Sequence, residues 1–108
     1  MINILEYSDI TFPEDFLWGA STAGQQIEGN NNSFYDDKEI APKFAYGGVP
    51  YQMAGRACNS YEMYKEDIAL LKKMHLNSYR MSLEWSRIEP VEGQFDEKEI
   101  EHYRDVLK

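Results

Sequence analysis

Between residues 79 and 86 four bulky side chains, Tyr79, Met81, Leu83 and Trp85, alternate strictly with four polar ones, Arg80, Ser82, Glu84 and Ser86. A period of two belongs to a strand, whose successive Cβ atoms point to opposite faces of a sheet, so the pattern predicts a strand over about 78–85. Helical spacing flanks it. Tyr61, Tyr64, Ile68, Leu71 and His75 recur every three or four residues after Asn59-Ser60, either of which can cap, and predict a helix over about 60–75. Downstream, Glu92-Gly93 makes a turn, Asp96 and Glu99 have capping-box spacing, and Ile100, Tyr103 and Leu107 share one face of a second helix over about 97–108. Upstream, Phe16-Leu17-Trp18 before Gly19 predicts a shorter strand over about 16–20. The resulting order of strand, loop, helix, strand, loop, helix implies an α/β fold with parallel strands and crossover helices. Parallel sheets are stable when both faces are covered, and two strands cannot supply that alone. With no Gly, Asn or Pro after the second helix, the chain is expected to be a truncated or split part of a larger domain.

Two further stretches bear on function. Ala20 to Gly24 carries no bulky side chain, so main chain can approach main chain or ligand closely there. The segment 30–56 has no sustained period and contains Asn30-Asn31-Asn32, Pro42, Gly47-Gly48, Pro50 and Gly55. A loop of about 27 residues is long for a compact domain, and its aromatics, Phe34, Tyr35, Phe44, Tyr46 and Tyr51, suit a packed functional loop better than a linker. The polar face of the second strand is the most telling feature. Buried strands of parallel sheets read as apolar runs, whereas Arg80, Ser82 and Glu84 share one face, which therefore looks into a polar cavity or pairs with charges in a larger core. In a (β/α)8 barrel such a face points into the lumen, and the carboxyl ends of the strands build the active site. Gln26 offers one acceptor and two donors, which suits vicinal sugar hydroxyls, although most glutamines are simply solvated.

Composition excludes several classes. Nineteen Asp and Glu against eleven Lys and Arg give a formal charge of −8, so neither nucleic acid nor an anionic membrane is an expected partner. No apolar stretch approaches the roughly 18 residues of a membrane helix, and Met1 to Pro13 lacks a basic and an apolar leader region, which makes cytoplasmic the default expectation. One cysteine, Cys58, cannot close an internal disulfide, and with the separated His75 and His102 it makes no metal-ligand spacing. The glycines of Gly19 to Gly24 have P-loop spacing but are followed by Gln25-Gln26 instead of Lys and Ser or Thr, which argues against nucleotide binding. Asn31-Asn32-Ser33 has the form of a glycosylation acceptor and, with no secretory signal, reads as ordinary loop.

Taken together, three blocks in order resemble the amino-terminal part of family 1 glycoside hydrolases, the β-glucosidase and 6-phospho-β-glucosidase family, over about residues 10–108. They are Phe12 to Gly29, with its run of small residues and closing Gln26-Ile27-Glu28-Gly29; Tyr61 to Lys72; and Tyr79 to Pro90, continued by Gly93 and Phe95. The resemblance implies that the chain holds the first two strand–helix units of a (β/α)8 TIM barrel, incomplete as it stands. It also implies retaining hydrolysis of β-glycosides by two glutamates about 5–5.5 Å apart, without a cofactor. Both glutamates belong to later strands of the family pattern, so the chain is expected to carry none of the catalytic pair, and Glu84, Glu89 and Glu92 do not fill that role. Two residues carry over. Gln26 matches the glutamine that binds glycone hydroxyls, and Arg80 matches the arginine that contacts the nucleophilic carboxylate and keeps it ionised. Trp18, Glu28, Trp85 and Arg87 also match and read as packing and ion-pair scaffold. Departures are Gln25 where an aromatic or asparagine is common, Asn59-Ser60 for Asp-His, and Phe34-Tyr35-Asp36 for a Trp-Asp segment. The expected partners are a β-linked sugar and either the remaining barrel portion or a second copy. The alternative is a non-catalytic remnant or a sugar-binding, self-associating module, because an open strand edge invites association.

Overall fold

The structure is a computed structural model, and it describes residues 11–44, 47 and 52–108. The sequence reading of an irregular start, as far as residue 10, and of Gly48, Pro50, Tyr46 and Tyr51 in the long loop lies outside the described residues. Strand β1 (Gly19–Ser21) runs directly into a four-residue helix α1 (Gly24–Ile27). A 3-10 turn at Ala41–Phe44 interrupts the long loop, which the sequence reading left without structure. Helix α2 (Ser60–Lys73), strand β2 (Ser78–Arg80), a short helix α3 (Trp85–Ile88) and helix α4 (Glu97–Val106) follow.

The two strands pair in parallel, Gly19 opposite Ser78, Ala20 opposite Tyr79 and Ser21 opposite Arg80, with α2 as the crossover. Gly19 is needed at the first rung, since a Cβ there would stand 2.6 Å from the Ser78 carbonyl oxygen. Asn77 fastens the same end: its Oδ1 accepts from the Trp18 N–H at 2.7 Å and its Nδ2 donates to the Phe16 carbonyl at 3.1 Å.

Both strands differ from the expected bounds. The first begins at Gly19 instead of about 16, because Pro13 to Phe16 closes a turn and the rings of Phe12, Phe16 and Trp18 cluster at 4.7 Å. The second stops at Arg80 instead of about 85. Its last rung is the Thr22 N–H to the Arg80 carbonyl at 3.0 Å; beyond it the first strand's chain has turned into α1 and no longer offers a ladder. Glu84 then accepts from the Ser86 hydroxyl at 2.8 Å and the Ser86 N–H at 3.4 Å, which starts α3 where the alternation predicted strand.

Helix α2 ends at Lys73 and not at 75. Leu76 N–H bonds the Leu71 carbonyl at 3.1 Å and His75 N–H the Lys72 carbonyl at 3.0 Å, a Schellman closure with His75 at φ 59°. At its start Asn59 occupies the cap position with φ 57° and no side-chain cap, while Ser60 donates to Asp67 at 2.6 Å. Helix α4 is capped by Asp96, which accepts from Lys98 and Glu99 N–H, but Glu99 completes no capping box: its carboxylate takes the Tyr61 hydroxyl at 3.0 Å. Among the described residues only Ala41, Ile88 and Tyr103 form a buried apolar core, and Leu107, expected on the inner face, is 69% exposed.

Candidate functional site

Ser21 and Arg80 lie opposite each other at the carboxyl ends of β1 and β2, the end of a parallel sheet where ligands bind. The Arg80 guanidinium is exposed and donates from Nη1 to Ser21 Oγ at 3.2 Å, and among the described residues no carboxylate stands within ion-pair distance of it. Two residues beyond the end of β1 the chain enters α1. Ala23 gives that helix no side-chain cap, so Gly24 N–H takes Ser82 Oγ at 2.7 Å instead. This bond replaces the missing rung between the segments leaving the two strands. It also brings α1, with Gln26 exposed upon it, beside the end of β2. Among the described residues the Gln26 side chain has no hydrogen-bond partner and is exposed, and the two residues singled out from the sequence stand on adjacent segments at one end of the sheet. The expected shared polar face is only partly formed. Arg80 closes the strand, whereas Ser82 and Glu84 lie past it and are committed to the Gly24 and Ser86 N–H groups.

Behind α1 lies a buried polar cluster. Glu28, 6% exposed, receives Arg87 Nε at 3.1 Å and the Tyr103 hydroxyl at 2.9–3.0 Å. Arg87 also donates from Nη2 to the Gly29 carbonyl at 2.6 Å and to Asn31 Oδ1 at 3.0 Å, and its guanidinium lies 4.0 Å over the Tyr61 ring. The Tyr103 oxygen accepts the Glu84 N–H at 3.1 Å, so both of its hydrogen-bonding roles are filled. Burial raises the Glu28 carboxyl above its usual range, although Tyr103 and Arg87 pull it down. Burial, together with the facing Glu28 charge, holds the Tyr103 hydroxyl protonated, and burial with Glu99 pushes Tyr61 up to about 12. His102, stacked on Tyr61 at 4.1 Å, is lowered by burial and stays neutral. These groups pair among themselves and form scaffold. The narrow cleft that Glu28, Tyr61, His102 and Tyr103 share with Ser60, Asp67 and Tyr79 is about 30 Å³, room for a water or two and not for a sugar. Glu89 is likewise occupied: its oxygens take the Gly93 N–H at 2.7 Å and Trp85 Nε1 at 2.8 Å, the first of which does most to keep it ionised.

Sequence reasoning missed Tyr103, read there as part of an apolar helix face, and a clasp formed by Gln25, Asn31, Ser33 and Asp36. Gln25 Nε2 donates to Asp36 Oδ2 at 3.0 Å and its Oε1 lies 2.8 Å from Ser33 Oγ and 3.3 Å from Asn31 Nδ2. Ser33 and Asp36, three apart in a polar loop, carried a local turn signal that could have drawn attention to it.

Comparison with known proteins bears on this arrangement directly. β-Glucosidase A from Acetivibrio thermocellus is 39% identical over 101 residues, covering 90% of this chain and 22% of that protein. Myrosinase 1 from Brevicoryne brassicae is 36% identical over 105 residues, covering 92% of this chain and 23% of the relative. The crystal structure of the AHE enzyme from Alicyclobacillus herbarius superposes with a TM-score of 0.76 at 36% identity, covering 94% of this chain and 23% of that one. The chain thus spans under a quarter of the length of these relatives, and it aligns with the amino-terminal part of their (β/α)8 barrels. Since the pattern described as glycosyl hydrolase family 1 matches residues 8–108, including both strand ends and the Glu28–Arg87 pair, the chain belongs to that family.

Proposed function

We propose that this chain supplies part of the glycone site of a retaining β-glycosidase, with β-glucoside-like substrates, and that the two catalytic glutamates come from the rest of the barrel. The observation that carries this reading is the placement of Gln26 and Arg80 on adjacent segments at the carboxyl end of the parallel pair, both exposed, one amide and one cation. Gln26 would donate to and accept from vicinal sugar hydroxyls. Arg80, short of a carboxylate partner among the described residues, would stand beside the nucleophilic glutamate and lower its pKa by about 1–3 units, so that it is ionised at neutral pH. By itself the 108-residue chain is expected to release no product from an aryl β-glucoside.

The reading is tested in a hybrid enzyme in which this chain replaces the matching segment of β-glucosidase A. Hydrolysis of an aryl β-glucoside is expected, with Arg80→Ala lowering kcat/KM and moving the acid limb of the pH profile upward by about 1–3 units. An Arg80→Ala hybrid with an unmoved acid limb would remove the proposed role. The exposed apolar surface favours a second reading, association of the chain with a partner or with a second copy.

A further inference from the structure

Helix α1 has four residues, too few to be stable by its own hydrogen bonds, so its orientation is set by what its side chains are fastened to. Gln25 is fastened at both ends of its amide. Asp36, when ionised, accepts only, so the Gln25 nitrogen must face it at 3.0 Å. The amide oxygen then faces Asn31 Nδ2 at 3.3 Å and the Ser33 hydroxyl at 2.8 Å; that hydroxyl is also 2.9 Å from Asp36 Oδ2 and donates to one of the two at a time. Asn31 continues the connection: its Nδ2 reaches the Gly24 carbonyl at 3.4 Å while its Oδ1 accepts from Arg87. One continuous polar chain therefore runs from the half-buried Arg87 through Asn31 to Gln25 and the 33–36 turn. Successive residues of a helix point about 100° apart, so holding Gln25 against this turn leaves Gln26 directed away from it, toward solvent.

We propose that Gln25 is a positioning residue, whose clasp with Asp36, Ser33 and Asn31 sets the azimuth of α1 and thereby aims the Gln26 amide at the sugar. The inference rests on the glycone-binding reading of Gln26 given above. It assigns a task to the residue that replaces the aromatic or asparagine common at this position and to the turn that replaces the Trp-Asp segment.

The decisive variant is Gln25→Glu, nearly isosteric, which removes the donor facing Asp36 and sets two carboxylates against each other. Asp36→Asn restores a donor from the other side and should rescue it. The first measurement uses the 108-residue chain itself and needs no activity. Backbone 15N order parameters over Gly24–Ile27 are expected to fall from about 0.85 to below about 0.6 in Gln25→Glu, with α2 unchanged, and to recover in Gln25→Glu/Asp36→Asn. An α1 that remains rigid in Gln25→Glu overturns the proposal. The second measurement uses the hybrid enzyme. Gln25→Glu and Gln26→Ala should each lower kcat/KM about three- to tenfold, as for one or two lost hydrogen bonds, and Gln25→Glu should add nothing in the Gln26→Ala background. Equal losses in both backgrounds would show a purely structural role and overturn the positioning claim. If Gln26→Ala leaves kcat/KM unchanged, the sugar-binding reading of Gln26 fails, and with it the aim assigned to Gln25; the order parameters still decide whether the clasp orients α1.

Discussion

Glu28 shows how one carboxylate can be buried in a chain with so little core. Its charge is compensated by Arg87 and by the Tyr103 hydroxyl, yet removal from water outweighs both and leaves the carboxyl raised. The pH consequence has the opposite sign from that of an ordinary salt-bridged acid. With the folded-state pKa above the ordinary value of 4.5, the folded chain binds more protons across that window. This contribution to stability is complete below about 4.5 and is lost as pH rises through the folded-state pKa. Tyr103→Phe removes a hydrogen bond that lowers the Glu28 pKa and strands the Glu84 N–H, so it should cost about 1–3 kcal/mol and widen the window. Urea melts of the chain between pH 4 and 7 measure both. A Tyr103→Phe chain with unchanged midpoints at every pH would show that the cluster is not what holds α4 against α1.

Elements register a different balance, between local pattern and available partners. In α2 the left-handed His75 stands where a Schellman closure favours glycine, and a non-glycine residue there costs about 1–2 kcal/mol. Because His75 is exposed, His75→Gly should raise stability by about 1 kcal/mol after glycine's greater chain entropy is subtracted, read as a higher urea midpoint. A lower midpoint would mean that the imidazole makes a compensating contact. The same closure explains why the helix could be read from Tyr61, Tyr64, Ile68 and Leu71 but its end could not: the period carries on to His75, while the stop is made by two main-chain bonds. Asp96 was legible as a cap because a cap is local. The residues from Met81 to Trp85 were misread as strand because alternation records two faces and not whether a neighbouring strand is present to pair with. Gln26 and Arg80 were singled out through family resemblance, since each occupies a recognisable motif. Tyr103 and the Gln25 clasp could not, because Tyr103 meets Glu28 across 75 positions and Gln25 meets a turn that departs from the family pattern.

At the scale of the whole molecule, surface decides. The chain exposes 9116 Å², where a compact monomer of 12.6 kDa exposes about 6,200 Å². Its radius of gyration is 18.6 Å, against about 13 Å for a compact domain of this length. The difference of roughly 2,900 Å² belongs to this chain alone, so matched by an equal area on a partner it reaches the upper end of the range of obligate interfaces, and apolar side chains contribute to it on several sides: Leu17 and Trp18 before β1, Leu70 and Met74 on and after α2, Trp85 and Leu107 further on. Among the described residues the outer edges of the two-stranded sheet add unpaired main-chain groups. Charge selects between the candidate partners, because a net −8 on each copy opposes close self-packing, most strongly at low salt, whereas a surface drawn from the rest of a family 1 barrel carries no such requirement. The expectation is therefore that the isolated chain keeps the folded but extended form of the structure, with a radius of gyration near 18.6 Å, in dilute low-salt buffer, binds a hydrophobic dye on its exposed apolar side chains, and associates with itself only as salt is raised. Small-angle scattering and sedimentation velocity across a salt series measure this. A radius of gyration near 13 Å with a concentration-independent monomer would show that these residues complete a core by themselves, and the need for a barrel partner would fall with it.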